Sequence, residues 1–137
     1  MSEKFSIVLF SGTVDKLMAA TTLVAGAAAM GKDVTIFLTF GGLIAFRKDA
    51  WKTNRQFSAD FADYAGPAME MMAAKHVPNW MTTLQQVMEI GNVTIKACGA
   101  TMDLFDIKQS DLEPIVSEVT GVASFIDDSD GGTTLFI

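Results

Sequence analysis

Two runs of the sequence are apolar at nearly every position, and they constrain the fold more than any other feature. Residues 5–10 are rich in strand-forming side chains and are closed by Ser11-Gly12-Thr13, and residues 34–38 repeat the pattern. A strand that is apolar on both faces is typical of a parallel sheet covered by helices on each side. The two runs therefore predict neighbouring strands of such a sheet.

Helical segments alternate with these strands. Thr13 can cap a helix over residues 14–30, with Gly31 where a C-terminal glycine belongs. Asn79 can cap another helix, which Gly91 ends before a β-branched run at residues 93–95. The 137 residues suit a single domain, 1–137. Strands that alternate with helices predict an α/β protein, a three-layer α/β/α sandwich around a mainly parallel sheet.

The segment 45–77 is longer than an ordinary crossover between strands. Gly66-Pro67 predicts a break between two short helices within it. Its Met and aromatic side chains, between Trp51 and Met72, suit a lid, an oligomer surface or ordinary core. After residue 107 we expect a short strand within residues 115–119, a helix at 121–126, a solvated turn at 127–132 and a terminal strand at 133–137.

The composition excludes several classes of partner. Ten Lys and Arg face sixteen Asp and Glu, a net charge of −6, and no basic cluster stands out, so nucleic acid and anionic membrane surfaces are poor partners. Charged residues make up only 19%, which indicates self-association as a homo-oligomer. The longest apolar run near the start is shorter than the roughly 20 residues that a bilayer requires, so no integral membrane segment is expected. The amino terminus lacks signal-peptide features and the chain has a single cysteine, which favours a reducing cytoplasm.

The single cysteine, Cys98, is the centre of the functional hypothesis. It follows a strand-like run, and Gly99 breaks that run before residues 101–104 begin a helical turn. Ligands of open α/β sheets bind at this carboxyl edge, and a helix amino terminus favours the thiolate over the thiol. The pattern predicts a partly accessible, reactive thiol. The alternative is an inert cysteine that behaves as a small buried hydrophobe.

Glycine turns are expected at the same edge as Cys98. Gly12 beside Thr13, and Gly41-Gly42 after Thr39, allow a ligand to approach the backbone closely. Neither turn forms a GxGxxG or GxxxxGK[ST] phosphate loop, so nucleotide binding is only weakly indicated. His76 has no second histidine near it in sequence, and residues 127–132 lack calcium-loop spacing, so neither a metal nor a cofactor is expected.

Six motifs in a fixed order extend over nearly the whole chain: Leu9-Phe10-Ser11-Gly12, Ala27-Ala28-Ala29-Met30-Gly31, Phe37-Leu38-Thr39-Phe40-Gly41-Gly42-Leu43, Ala97-Cys98 with Thr101-Met102-Asp103-Leu104, Gly121-Val122-Ala123 and Leu135-Phe136-Ile137. With these motifs the chain resembles the DsrE/DsrF/DsrH-like family, in the subgroup often labelled peroxiredoxin-like. The resemblance implies a sheet of about five strands, a homo-oligomer, and sulfane sulfur carried on Cys98 and passed to TusA-like carriers. The chain departs from the family pattern at Thr101, where serine is common, and at Gly41, where tryptophan is common.

The leading hypothesis is thus a cytoplasmic sulfur-carrier or sulfurtransferase-like protein, with Cys98 as nucleophile and Thr101 and Asp103 as supporting residues. Two alternatives stay open. One is a thiol-dependent reductase that uses an external thiol, because the chain has no second cysteine to resolve an intermediate. The other is a structural or small-ligand-binding oligomer in which Cys98 is inert.

Overall fold

The computed structural model describes residues 3–137, which form an α/β fold. Its strands are β1 (Lys4–Leu9), β2 (Asp33–Leu38), β3 (Val93–Cys98), β4 (Glu118–Thr120) and β5 (Thr133–Phe136). Its α-helices are α1 (Val14–Ala29), α2 (Phe40–Ala45), α3 (Ala65–Ala74), α4 (Trp80–Ile90), α5 (Gly99–Phe105) and α6 (Val122–Ser129). The predicted strands at residues 5–10 and 34–38 and the first helix are confirmed to within one or two residues.

All five strands are parallel, in the order β4-β3-β2-β1-β5. The register pairs Leu9 with Leu38, Leu38 with Ala97, and Cys98 with Thr120. Because parallel strands end at the same edge, the loops after β1 and β2 lie at the edge where Cys98 ends β3.

One face of the sheet carries the main core. Alternate side chains of the three central strands point to this face and pack with buried residues of α1 and α4. The strand residues in this core are Ile7, Leu9, Val34, Ile36, Leu38, Ile95 and Ala97. Each fully buried Leu or Ile contributes roughly 1.5–3 kcal/mol, so this face stabilises the position of the sheet edge.

The opposite face is covered more thinly, by α6. Phe125 of this eight-residue helix packs on Phe37, Cys98 and Val8 of the sheet. The predicted three-layer α/β/α sandwich is thus confirmed, with one layer much thinner than the other. Among residues 3–137, no helix is long and apolar enough to cross a membrane.

The segment 45–77 differs from the prediction. It forms two 3₁₀ turns, Ala50–Lys52 and Ala59–Tyr64, followed by α3. The break predicted at Gly66-Pro67 is wrong because Pro67 lies in the first turn of α3, where its missing N–H has no intrahelical partner to lose. The last helix also continues to Ser129, three residues beyond the predicted end, and so takes up part of the predicted turn at 127–132.

Candidate functional site

Cys98 is the last residue of β3 and the N-cap residue of α5, at the predicted junction between strand and helix. Side chains alternate along β3, so Ile95 and Ala97 enter the main core while Lys96 and Cys98 face α6. Only 8% of the surface of Cys98 is exposed, because Phe125 packs over it. The thiol is therefore less accessible than the sequence predicts.

An ion pair links α6 to the sheet at Lys96, two residues before Cys98. Lys96 Nζ lies 2.9 Å from Asp128 Oδ2 of α6 and 3.5 Å from Glu118 Oε1 of β4. The hydrogen bond to Asp128 raises the pKa of Lys96, with Glu118 acting in the same direction and burial opposing both. Lys96 in turn lowers the pKa of Asp128. The charge of Lys96 is thus already balanced by two carboxylates.

Thr101 and Asp103, the two predicted supports on α5, lie in different surroundings. Thr101 is buried, and its Oγ1 accepts a hydrogen bond of 3.4 Å from the backbone N–H of Phe40, the first residue of α2. Asp103 is exposed on α5, and no hydrogen bond of its carboxylate is found in residues 3–137. The structure therefore connects Thr101, and not Asp103, with the start of α2.

A cleft of about 1170 Å³ opens at the same sheet edge, after β1 and β2. Three predicted ligand-binding residues, Gly12, Thr13 and Gly41, line it together with Ser11. Gly42 and Thr39 are not among the lining residues, and neither is Cys98. The predicted edge site is thus divided between the cleft and the thiol.

The glycines at this edge allow backbone segments to pack closely against one another. A Cβ atom at Gly12 would collide with the carbonyl oxygen of Gly41, and one at Gly42 would collide with the carbonyl oxygen of Leu9. These glycines let the first turn of α2 pack against the end of β1 and the β1–α1 loop. The sequence pattern predicted that a ligand would approach these glycines closely, but at Gly12 and Gly42 another part of the backbone does so instead.

Residues 54–58, which we name the strap, lie against the start of α1. Asn54 Nδ2 donates to the carbonyl oxygen of Gly12 at 2.8 Å, and the carbonyl oxygen of Gln56 accepts from the N–H of Val14 at 2.7 Å. The Asp15 carboxylate accepts from both the N–H and the hydroxyl of Ser58. The strap therefore closes one side of the cleft.

These contacts set the charge state of Asp15. Burial is the largest single influence and raises the pKa of Asp15, but the two hydrogen bonds from Ser58, together with the nearby Thr13 hydroxyl and Lys16 N–H, outweigh it, so the pKa lies below its usual value. The Thr13 hydroxyl acts in the same direction, although its geometry falls short of a hydrogen bond. The carboxylate therefore stays ionised beneath the strap near neutral pH.

The charged and aromatic walls of the cleft were not predicted from the sequence. Arg47, Lys48 and Arg55 line it, and within residues 3–137 none of the three takes part in a salt bridge. The signal in the sequence was the four basic residues early in the segment 45–77, but nothing in the local pattern connects them with the sheet edge. No group of three metal-ligating side chains occurs in the described part of the chain.

Comparison with known proteins agrees with this architecture. The chain matches the DsrE/DsrF/DrsH-like family over residues 1–62 and 58–136. It is similar to the uncharacterized protein YrkE of Bacillus subtilis (strain 168), with 31% identity over an alignment of 157 residues that covers 99% of this chain and 98% of YrkE.

Solved structures share the fold at low identity. The ychN protein from E. coli has a TM-score of 0.61 at 13% identity, with 99% of this chain and 98% of that one covered. MTH1491 from Methanobacterium thermoautotrophicum, a protein of unknown function, has a TM-score of 0.59 at 15% identity, with 99% and 100% covered. The family match extends over both halves of the sheet and includes the strand that ends at Cys98. The chain therefore belongs to the DsrE/DsrF/DrsH-like family.

Proposed function

We propose that the protein carries sulfane sulfur on Cys98, as a sulfur carrier or sulfurtransferase-like protein of sulfur metabolism. One observation carries the proposal: in a chain of this family, the only cysteine ends a central strand at the sheet edge and begins a helix. Ligands of open α/β folds bind at this edge.

The chemistry needs one thiolate and two external partners. The Cys98 thiolate attacks a terminal sulfur of a polysulfide, so that a new S–S bond forms on Cys98 while an S–S bond of the donor breaks and a shorter polysulfide anion leaves. An acceptor thiolate then attacks the outer sulfur, and the Cys98 thiolate leaves. Backbone N–H groups in the first turn of α5 have no intrahelical partner and are donors close to the persulfide.

Access to the thiol depends on α6. Phe125 covers Cys98, and the Lys96–Asp128 pair holds the helix in place. Val122 and Ile126 of the same helix are exposed, so few contacts retain it. A local displacement of α6 is the simplest route by which a donor or acceptor reaches the sulfur.

Two kinds of partner belong to the proposal, TusA-like sulfur carriers as acceptors and further copies of this chain, both in the cytoplasm. Support for self-association comes from α3, a ten-residue helix in which no residue is buried within one chain. Its exposed Met71 and the neighbouring exposed Tyr64 form an apolar surface that suits contact with another copy.

Loading with sulfur is measured by intact-protein mass spectrometry after incubation with polysulfide. The proposal predicts a gain of about 32 Da for each sulfur atom, removed by dithiothreitol. The Cys98→Ser variant is the matched control, because it lacks the only thiol, and it gains nothing. Wild-type protein that gains no mass, or a variant that gains as much, contradicts the proposal.

The burial of Cys98 favours a second candidate, in which the cysteine is structural. A thiol packed with Phe37 and Phe125 contributes to the core as a small apolar side chain. In that case sulfane donors and peroxide both leave the folded protein unmodified. Turnover of peroxide with an external thiol, without persulfide formation, indicates instead the thiol-dependent reductase.

A further inference from the structure

The cleft beside the thiol has walls of two different kinds. Phe10, Phe40 and Phe105 supply an aromatic wall, and Arg47, Lys48 and Arg55 supply a cationic one. Neither Cys98 nor its immediate neighbours in β3 and α6 line it. The proposed sulfur chemistry therefore leaves this space without a role.

The aromatic wall belongs to a ladder of rings, which we name the aromatic ladder (Phe136, Phe10, Phe40 and Phe105). Ring centroids lie 5.6, 5.1 and 5.7 Å apart along it. The topology explains the ladder. Phe136 ends β5, Phe10 follows β1, Phe40 follows β2, and Phe105 ends α5, the helix after β3, so the four rings follow the order of these strands in the sheet. All four rings are 41–70% exposed, which is unusual for phenylalanines packed against one another and leaves flat apolar surface open to a ligand.

Among residues 3–137, the cationic wall residues form no salt bridge with the carboxylates that also line the cleft. Three carboxylates, Asp49, Asp106 and Asp111, also line the cleft. Asp49 is paired with Lys52 at 2.8 Å, and Asp111 accepts the backbone N–H of Lys108 at 2.9 Å. The basic wall residues have no such ion pair among residues 3–137, so an anionic group in the cleft can engage them.

The backbone around the cleft is held in unusual conformations. Of the four non-glycine residues with positive φ in residues 3–137, three line the cleft: Phe40 at 43°, Asp49 at 64° and Asp106 at 56°. A bulky residue such as Phe40 rarely adopts this region, and such outliers concentrate at ligand sites. At Phe40, the hydrogen bond to Thr101 helps to hold the conformation that presents the ring.

From these features we infer that the cleft binds an amphiphilic organic anion, a molecule with a flat apolar group and a phosphate, sulfonate or carboxylate head. The flat group stacks against Phe10, Phe40 and Phe105, and the head lies toward Arg47, Lys48 and Arg55. This site is separate from Cys98 and does not depend on sulfur carriage. A mononucleotide and an arylsulfonate both have this chemistry.

The test uses the full chain and the fluorescent probe 8-anilinonaphthalene-1-sulfonate, with neutral N-phenyl-1-naphthylamine as its uncharged analogue. The sulfonate is expected to bind at a single site per chain and more tightly than the neutral amine. Raising the salt from about 0.05 M to about 0.5 M should weaken only the sulfonate, because screening acts on its charge. Equal affinities of the two probes, or equal salt dependence, would overturn the inference.

Matched variants locate the site. Lys48→Gln in the cleft should weaken sulfonate binding by about two- to fivefold, as expected for one exposed ion pair, while Lys75→Gln at the end of α3 leaves it unchanged. Phe105→Ala should weaken both probes by about fivefold, and Phe136→Ala, in the ladder but outside the cleft lining, should not. Equal effects within each pair would place the probe elsewhere and overturn the inference.

Competition then separates the two sources of this chemistry. Displacement of the probe by adenosine monophosphate, but not by adenosine, assigns the site to nucleotides. Displacement by benzenesulfonate alone assigns it to arylsulfonates. If neither anion displaces the probe at millimolar concentration, the cleft does not accept this class of ligand and the inference is wrong.

Discussion

Phe125 of α6 stacks on Phe37 of β2, with ring centroids 4.6 Å apart and planes 10° from parallel, and both rings pack with Cys98. This contact is the main apolar attachment of a helix whose other large side chains are exposed. It therefore controls both the stability of the thin layer and access to the thiol.

Replacing this ring is expected to open the thiol site. Phe125→Ala should lower the free energy of unfolding by about 3–5 kcal/mol, as for a large core truncation. It should also raise the alkylation rate of Cys98 by at least about tenfold, because each 1.4 kcal/mol lost from local stability increases the open population by that factor. The measurement is iodoacetamide labelling of the native protein, followed by mass spectrometry.

Ile126→Ala is the control for this prediction, because Ile126 lies on the same helix and is 61% exposed. It should leave the labelling rate near that of the wild type. Labelling at several low urea concentrations separates local opening from global unfolding, since global unfolding depends more steeply on urea. An unchanged rate in Phe125→Ala would show that α6 does not limit access.

The ion pair of Lys96, beside the thiol, is expected to stabilise the protein less at alkaline pH. The pKa of Lys96 is raised above its usual 10.5, first by the hydrogen bond to Asp128 and then by Glu118. A raised pKa means that the stabilisation is fully present below about pH 10 and is lost as the pH rises through the folded pKa. Lys96→Met should cost about 1 kcal/mol at pH 7, and the difference from the wild type should shrink above pH 10. Urea unfolding at pH 7, 9 and 11 measures it, and a constant difference would count against the ion pair.

The contact between Asp15 and the strap is expected to stabilise the protein less at acid pH. The pKa of Asp15 lies below its usual 3.8, so its contribution is present above that value and is lost as the pH falls through the folded pKa. Ser58→Ala removes the hydroxyl donor and should cost about 1–2 kcal/mol at pH 7. The cost should begin to diminish below about pH 4, where Asp15 of the unfolded chain takes up a proton, and should disappear once the folded-state carboxyl is protonated as well.

Urea unfolding at pH 7 and pH 3 tests this, with Ser124→Ala as the control because Ser124 is exposed on α6, away from the strap. A loss in Ser58→Ala that is the same at both pH values would mean that the hydroxyl stabilises the protein without Asp15.

Self-association is expected through the surface of α3. Light scattering should give a mass that is a multiple of the 14.7 kDa chain. Met71→Glu should lower that mass, because it introduces a charge into an exposed apolar helix face, while Met30→Glu, at the end of α1, should not. A monomer mass for the wild-type chain at micromolar concentration would contradict the prediction and leave α3 as a candidate lid.

Much of the fold could be predicted from local patterns. The runs at residues 5–10 and 34–38 and the junction at Cys98 were recognisable because strand content, glycine and capping residues are local signals. The face on which Cys98 lies could be recognised in β3, where Val93, Ile95 and Ala97 alternate with Thr94 and Lys96, so that Cys98 falls on the side of Thr94 and Lys96. The ring of Phe125 that covers this face was not recognisable, because α6 follows β3 only after another helix and strand.

The cleft could not be predicted from local patterns in the sequence. Its cationic wall comes from residues 47–55, which reach the sheet edge through contacts such as Asn54 with Gly12, 42 positions apart in the chain. Its strap is held by Asp15 and Ser58, which are 43 positions apart. No local pattern records pairings over such separations, so the sequence indicated the glycine turns and omitted the charges opposite them.

The most direct test of the central claim is whether sulfur on Cys98 moves to an acceptor. The chain is loaded with polysulfide, freed from the donor, and mixed with a TusA-like carrier, and both intact masses are followed with time. The account predicts that this chain loses about 32 Da as the carrier gains the same mass, and that Cys98→Ser transfers nothing. A loaded chain that keeps its sulfur in the presence of the carrier, or a wild-type chain that never loads, would contradict the account.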